Sequence, residues 1–103
     1  MLRTAPLGIV VCADLEIARY PEFWAQDCSA ATQNLLLAAH AKGLGAVWTA
    51  TYPLEDRLMG VKQILGLPEK VMPLRIVPVG YPASKQEPPE RRDNESRLHQ
   101  NIW

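Results

Sequence analysis

The segment from Asp27 to Lys42, DCSAATQNLLLAAHAK, limits the possible folds more than any other part of the chain. It predicts a helix. Asp27 suits the N-terminus as a cap, or as a charge well placed for the helix dipole. Lys42 in the last turn and Gly43 just beyond it make a conventional C-terminus. Ala30, Ala31, Leu35, Ala38 and Ala39 lie close to one stripe, but Leu36 and Leu37 carry apolarity around the cylinder. A helix apolar on nearly every side is buried by several neighbours or by a second subunit. Its alanines permit close approach. The expectation is a dimer, because such a surface is too apolar to face water.

Before the helix, residues 6–13 (PLGIVVCA) form a continuous apolar run that reads as a strand buried on both faces. Acidic residues follow too quickly for a secretion signal. ADLEIARYPEF breaks the pattern and reads as a loop. After Gly43-Leu44-Gly45 a short strand is expected from Ala46 to Thr49. Pro53 is placed at the first position of a second helix, with Glu55 and Asp56 in its first turn. Leu54, Leu58, Val61 and Leu65 recur at helical spacing, so this helix is amphipathic and covers a sheet face. Gly66 ends it. Residues 74–79 (LRIVPV) read as a strand in which Pro78 marks an edge, an end or a bulge.

Residues 1–82 therefore form one core. Residues 83–103 are nearly devoid of apolar side chains until Leu98, Ile102 and Trp103, and cannot build a core alone. Ordering about twenty residues costs on the order of 1 kcal/mol or more each. A terminal tryptophan is poorly suited to water, so this tail is expected to dock on the core or on a partner subunit.

Charge narrows the function. Lys plus Arg and Asp plus Glu both number 11, leaving no surplus to attract nucleic acid or an anionic membrane. No apolar run is long enough to span a bilayer. Cys12 and Cys28 form no CxxC and read as buried reduced thiols, which points to the cytoplasm. His40 and His99 have no carboxylate or thiol at a spacing that makes a known site, and read as surface or capping residues. HExxH, Walker, GxSxG and GxGxxG patterns are absent. Gly43 and Gly45 follow a helix, whereas a dinucleotide loop follows a strand. Metal ligands are not clustered. No catalytic side chain and no metal site are assigned. The chain is then either not an enzyme, or one whose cofactor carries the reaction. A flavin fits the second case, needing stacking room, a few hydrogen bonds and cations for its phosphate.

Taken in order, FWAQDCSAATQNLLLAAHAKGLGAVWTATYP, LGLPEKVMPLRIVPVGYP and PPERRDNESRLHQNIW resemble the C-terminal part of the nitroreductase family, FMN-dependent oxidoreductases with an α+β fold. The resemblance covers nearly the whole chain and rests on order and spacing. It implies part of a three-layer α/β/α fold and an intertwined homodimer with FMN in the interface. The helix from Asp27 to Lys42 would be the central dimer helix, and the tail would embrace the partner. By ping-pong transfer, NAD(P)H reduces the flavin and leaves, and a nitroaromatic, quinone or similar acceptor takes the electrons.

In the family, the segment after the Gly-Leu-Gly turn passes beside the flavin ring. The matching cofactor-binding positions are Trp48, Thr49, Ala50 and Thr51, with Ala50 standing where relatives often have Gly. The alternative for Val47 and Trp48 is core packing. In the tail, Arg92 matches the principal phosphate-binding residue, and Arg91 stands in for a lysine common at the position of Glu90. The alternative is a solvated basic pair offset by Glu90 and Asp93. Family members carry an Arg-rich, Ser-containing N-terminal region that binds the FMN phosphate and ribityl chain, so this chain is expected to begin partway through the fold. Two other readings stay open: a flavin-free α/β dimerisation module, and a regulatory domain for another small aromatic ligand.

Overall fold

Every strand in the molecule pairs with one long strand near the C-terminal end of the core. In the computed structural model, which describes residues 2–84, 87–91 and 94–103, the elements run β1 (Leu7–Asp14), α1 (Trp24–Ala41), β2 (Gly45–Ala46), β3 (Thr49–Ala50), α2 (Glu55–Leu65) and β4 (Val71–Gly80). Short 3-10 turns occupy Pro21–Phe23 and Glu95–Arg97. The sheet is antiparallel, in the order β1-β4-β2, with β3 also paired to β4. The α+β class expected from the sequence is what the chain adopts.

β4 differs from the sequence expectation in length and in place. It begins at Val71 and runs to Gly80, and it is the central strand. Pro78 therefore lies mid-sheet, opposite Gly8 of β1. A second proline, Pro73, pairs with Cys12 just past a register shift between Val11 and Cys12. The shift leaves Leu74 as an extra residue on β4, a bulge of the kind that bends a strand and sharpens its twist. Leu74 is 1% exposed and Val77 0%, so the core is centred on this strand. β1 is not buried on both faces. It is an edge strand, exposed at Leu7 and Gly8 and half-buried beyond.

α1 starts at Trp24, three residues before the expected position. Asp27 lies in the first turn, where its charge opposes the dipole's positive end, but it is not the cap. Phe23 occupies that place without a side-chain capping bond. The C-terminus closes as expected. Gly43 has φ +72, its N–H donates to the His40 carbonyl at 2.9 Å, and the Leu44 N–H donates to Ala39 at 2.9 Å. The inward face is Cys28, Thr32 and Ala39. Thr32 satisfies its buried hydroxyl by donating to the Cys28 carbonyl at 2.6 Å. The expected alanine stripe is split: Ala39 is inside, while Ala30, Ala31, Leu37 and Ala38 are exposed.

Pro53 does not open α2. It sits in a turn closed by the Leu54 N–H donating to the Thr51 carbonyl at 3.0 Å, after a cis Tyr52–Pro53 peptide. The helix then begins at Glu55 and stops at Gly66, φ +62. Of its expected apolar stripe, Leu58 is buried, Val61 half-buried, and Leu54 and Leu65 exposed. α1 packs on β1, β2 and β4, and α2 on β4.

The described tail residues are exposed, with Trp103 99% accessible and stacked on His99 at 4.4 Å. The radius of gyration is 16.8 Å, against about 13 Å for a compact chain of this length. The exposed tail, lying away from the core, accounts for an excess of this kind.

Two outcomes follow for stability. Leu74→Ala removes a fully buried side chain at the bulge and is expected to cost about 2–5 kcal/mol, read from the urea midpoint. Burial pushes both thiols above their ordinary range. Cys12 is raised further by Cys28, and Cys28 by Asp27. The unfolded chain thus releases these protons first as pH rises. Their contribution is complete below the ordinary thiol pKa and is lost as pH climbs through the raised values. Under reducing conditions the urea midpoint should fall as pH rises above roughly 8.5, the ordinary thiol pKa, and less steeply in the Cys12→Ala/Cys28→Ala variant.

Candidate functional site

The candidate site lies along residues 45–52, where a strand starts, stops and starts again. β2 pairs Gly45 with Gly80 and Ala46 with Val79, and β3 pairs Thr49 with Ile76 and Ala50 with Arg75. The two pieces keep one register, which sets Val47 against Pro78. Proline has no N–H to give the ladder, and the strand expected at 46–49 is interrupted there.

Downstream of the break the chain is tied to β4 twice. The Thr49 hydroxyl donates to the Ile76 carbonyl, and the Tyr52 N–H donates to the Leu74 carbonyl at 3.0 Å. The Tyr52 ring meets Trp24 of α1 edge-on, centroids 4.9 Å apart. Thr51 between them is buried and Ala50 is exposed. The Ala50 carbonyl accepts from Arg57 Nη1 of α2 at 3.2 Å. Between β3 and α2 lies a cavity of about 360 Å³, bordered by Thr49, Ala50, Thr51, Arg57, Gly60 and Ile76. That volume is within the range of small-molecule sites. A cleft of about 290 Å³ beside Gly45, Gly80 and Pro82 has no charged side chain in its lining, which gives it less to hold a ligand with.

Strand alternation puts Trp48, Ala50 and Arg75 on one face and Thr49 with Ile76 on the other. Arg75 lies with its guanidinium 3.8 Å from the centre of the Trp48 ring. Its Nε is buried without a hydrogen-bond partner among the described residues. Burial lowers its pKa, yet an arginine so placed stays charged. An unsatisfied buried donor costs roughly 1–3 kcal/mol, and a cation–π contact at a half-buried position contributes roughly 0.5–2 kcal/mol. The stack therefore offsets part of that cost.

The structure thus brings Thr49, Ala50 and Thr51 to the cavity, while Trp48, next in the chain, is not among its lining residues and turns to the other face with Arg75. Neither Val47 nor Trp48 is a core residue: Val47 is exposed and Trp48 half-buried. Arg91 is exposed in the tail, and Arg92 lies outside the described residues. Two arginines at the ledge, Arg57 and Arg75, were not singled out by sequence reasoning. Arg75 had a signal, being the one charge in the apolar run of β4. Arg57 had none, since its contact with Ala50 depends on the turn at 51–54. Among the described residues, no three or more His, Cys, Asp or Glu side chains converge. No helix is long and apolar enough to cross a membrane.

Comparison with known proteins adds a family. The model of the Nitroreductase family matches residues 1–81. A protein of Methanothermobacter thermautotrophicus, provisionally named NADH dehydrogenase/NAD(P)H nitroreductase, is 50% identical over 105 residues, covering 100% of this chain and 53% of that protein. A crystal structure from Parabacteroides distasonis with the same provisional name is 49% identical, with a TM-score of 0.90, covering 99% of this chain and 59% of that one. An FMN-dependent nitroreductase from Clostridium difficile is 27% identical, with a TM-score of 0.84 and coverage of 99% and 61%. The chain spans between half and two-thirds of the length of these relatives.

Proposed function

The chain belongs to the nitroreductase family, and on that premise we propose that it supplies the flavin-facing ledge of an FMN-dependent NAD(P)H oxidoreductase acting on nitroaromatics, quinones or similar acceptors. The observation that carries this reading is the cavity beside residues 49–51. Its residues fit a flat ring. Ala50 is small and exposed, and across the cavity a Cβ on Gly60 would meet nothing within 4 Å. Half-buried Val61 and Ile76 give an apolar wall.

When bound, FMN would supply the redox chemistry, hydride transfer between NAD(P)H and the acceptor. The chain's own residues position and shield. Thr49, fixed to Ile76, keeps the backbone of 49–51 in place beside the ring. Arg57 holds the Ala50 carbonyl, which keeps that end of the ledge from turning. The apolar wall limits water. Arg92 and Arg91 of the tail would hold the phosphate, an interaction worth roughly 1.5–3 kcal/mol as a charged hydrogen bond. No side chain has to act as nucleophile or base, in keeping with the residue inventory.

The assembly proposed with this site is a homodimer. Ala30, Ala31, Leu37 and Ala38 leave an apolar face of α1 exposed, and a second copy would cover it. The tail would lie on that copy, taking Leu98, Ile102 and Trp103 out of water. The two thiols are free, as a reducing cytoplasm keeps them. The same helix face supports a second reading, a flavin-free dimerisation module, because its burial needs no cofactor.

FMN titration separates the readings. Binding should appear as quenched flavin fluorescence, and Arg92→Ala should weaken it roughly tenfold or more. Unchanged affinity removes the phosphate assignment. A chain that takes up no FMN and still sediments as a dimer favours the dimerisation module. Sedimentation should give a dimer, shifted to monomer by Leu37→Glu. A monomeric parent chain counts against both dimeric readings.

A further inference from the structure

We propose that Arg75 is a positioning residue: stacked on Trp48, it holds the start of the 48–51 ledge and so sets the affinity for FMN, a role that rests on the flavin reading above. Neither the phosphate contacts nor the apolar wall involves Arg75. Its neighbours along β4, Leu74, Ile76 and Val77, are apolar. Its guanidinium lies 3.8 Å from the Trp48 ring centre, and its Nε is buried with no hydrogen-bond partner. The indole is thus what this cation engages among the described residues.

Trp48 stands where the ladder is interrupted. The bonds that tie the segment to β4 begin at Thr49 and continue at Tyr52, all on its C-terminal side. On the N-terminal side the last paired residue is Ala46. Val47 is exposed. The stack on Arg75 supplies the anchor that Pro78 cannot give by hydrogen bonding. Removing the cation frees the indole and lets residues 47–50 sample positions that do not fit a flat ring.

The test uses the full chain carrying Trp24→Phe and Trp103→Phe, so that Trp48 alone emits among the three tryptophans. In the flavin-free protein, Arg75→Met should lower the Trp48 anisotropy and raise its quenching by acrylamide. The thermal midpoint should stay near the parent's, because the unpaired Nε leaves with the charge. FMN affinity should fall roughly tenfold, as loss of such a contact converts. Arg75→Lys, which keeps a cation, should recover part of both signals, whereas a purely structural defect would not be rescued by charge. Unchanged anisotropy in Arg75→Met overturns the clamp. Lowered anisotropy with parental FMN affinity overturns the positioning role while leaving the flavin reading intact. A parent chain that binds no FMN removes the flavin reading and the effect on affinity with it, and the flavin-free anisotropy then decides the clamp alone. If Arg75→Met does not fold, Arg75→Gln against Arg75→Lys gives the same comparison.

Discussion

The structure depends on β4 pairing along both of its edges. β1 takes one edge over eight residues of register, and β2 and β3 share the other. Buried backbone groups must be paired, and a strand flanked on both sides meets that demand while its side chains enter the core. This is why Leu74, Val77 and Val79 are buried although no strand around them is. The two prolines reveal how much irregularity such a strand tolerates. Pro73 sits at the bulge, where pairing is already shifted. Pro78 falls opposite the gap between β2 and β3. Each missing N–H coincides with a place where a neighbour has stepped aside.

The helices follow from that arrangement but are not satisfied by it. α1 turns Cys28, Thr32 and Ala39 to the sheet and leaves Ala30, Ala31, Leu37 and Ala38 outside. α2 buries Leu58 and exposes Leu54, Leu65 and Ile64. Scattered exposed apolar residues are ordinary. A stripe along one helix, together with a tail that ends in an exposed tryptophan, is a surface that association buries.

What could be read from the sequence was the local and the periodic. The body of α1 was legible because sixteen residues of pattern end in glycine. Its start was not, because Phe23 offers no capping side chain to mark it. The apolar run at 6–13 announced a strand, but an edge strand and a buried one share that composition. The break between β2 and β3 could not be seen locally, since its cause, Pro78, lies some thirty residues further on. The ledge at 48–51 was legible only by family resemblance, which names positions and not contacts. Arg57 and Arg75 reach the Ala50 carbonyl and the Trp48 ring through the turn at 51–54 and the register of β4, and neither contact is written in a motif.

The same register explains why a ligand site would form at this edge. β2 and β3 are the last strands of the sheet on their side, and no described strand pairs with their outer edge. An edge strand presents unpaired N–H and C=O groups and attracts whatever can pair with them. Proteins usually blunt such edges with charge or by keeping them short. Here the pieces are two residues each, and Arg57 occupies one carbonyl, that of Ala50. A planar ligand with donors and acceptors along one rim can pair with an edge of this kind without completing a sheet. The outer edge is open because no described strand covers it, whereas the interruption at Val47 and Trp48 removes ladder pairing on the inner side, toward β4.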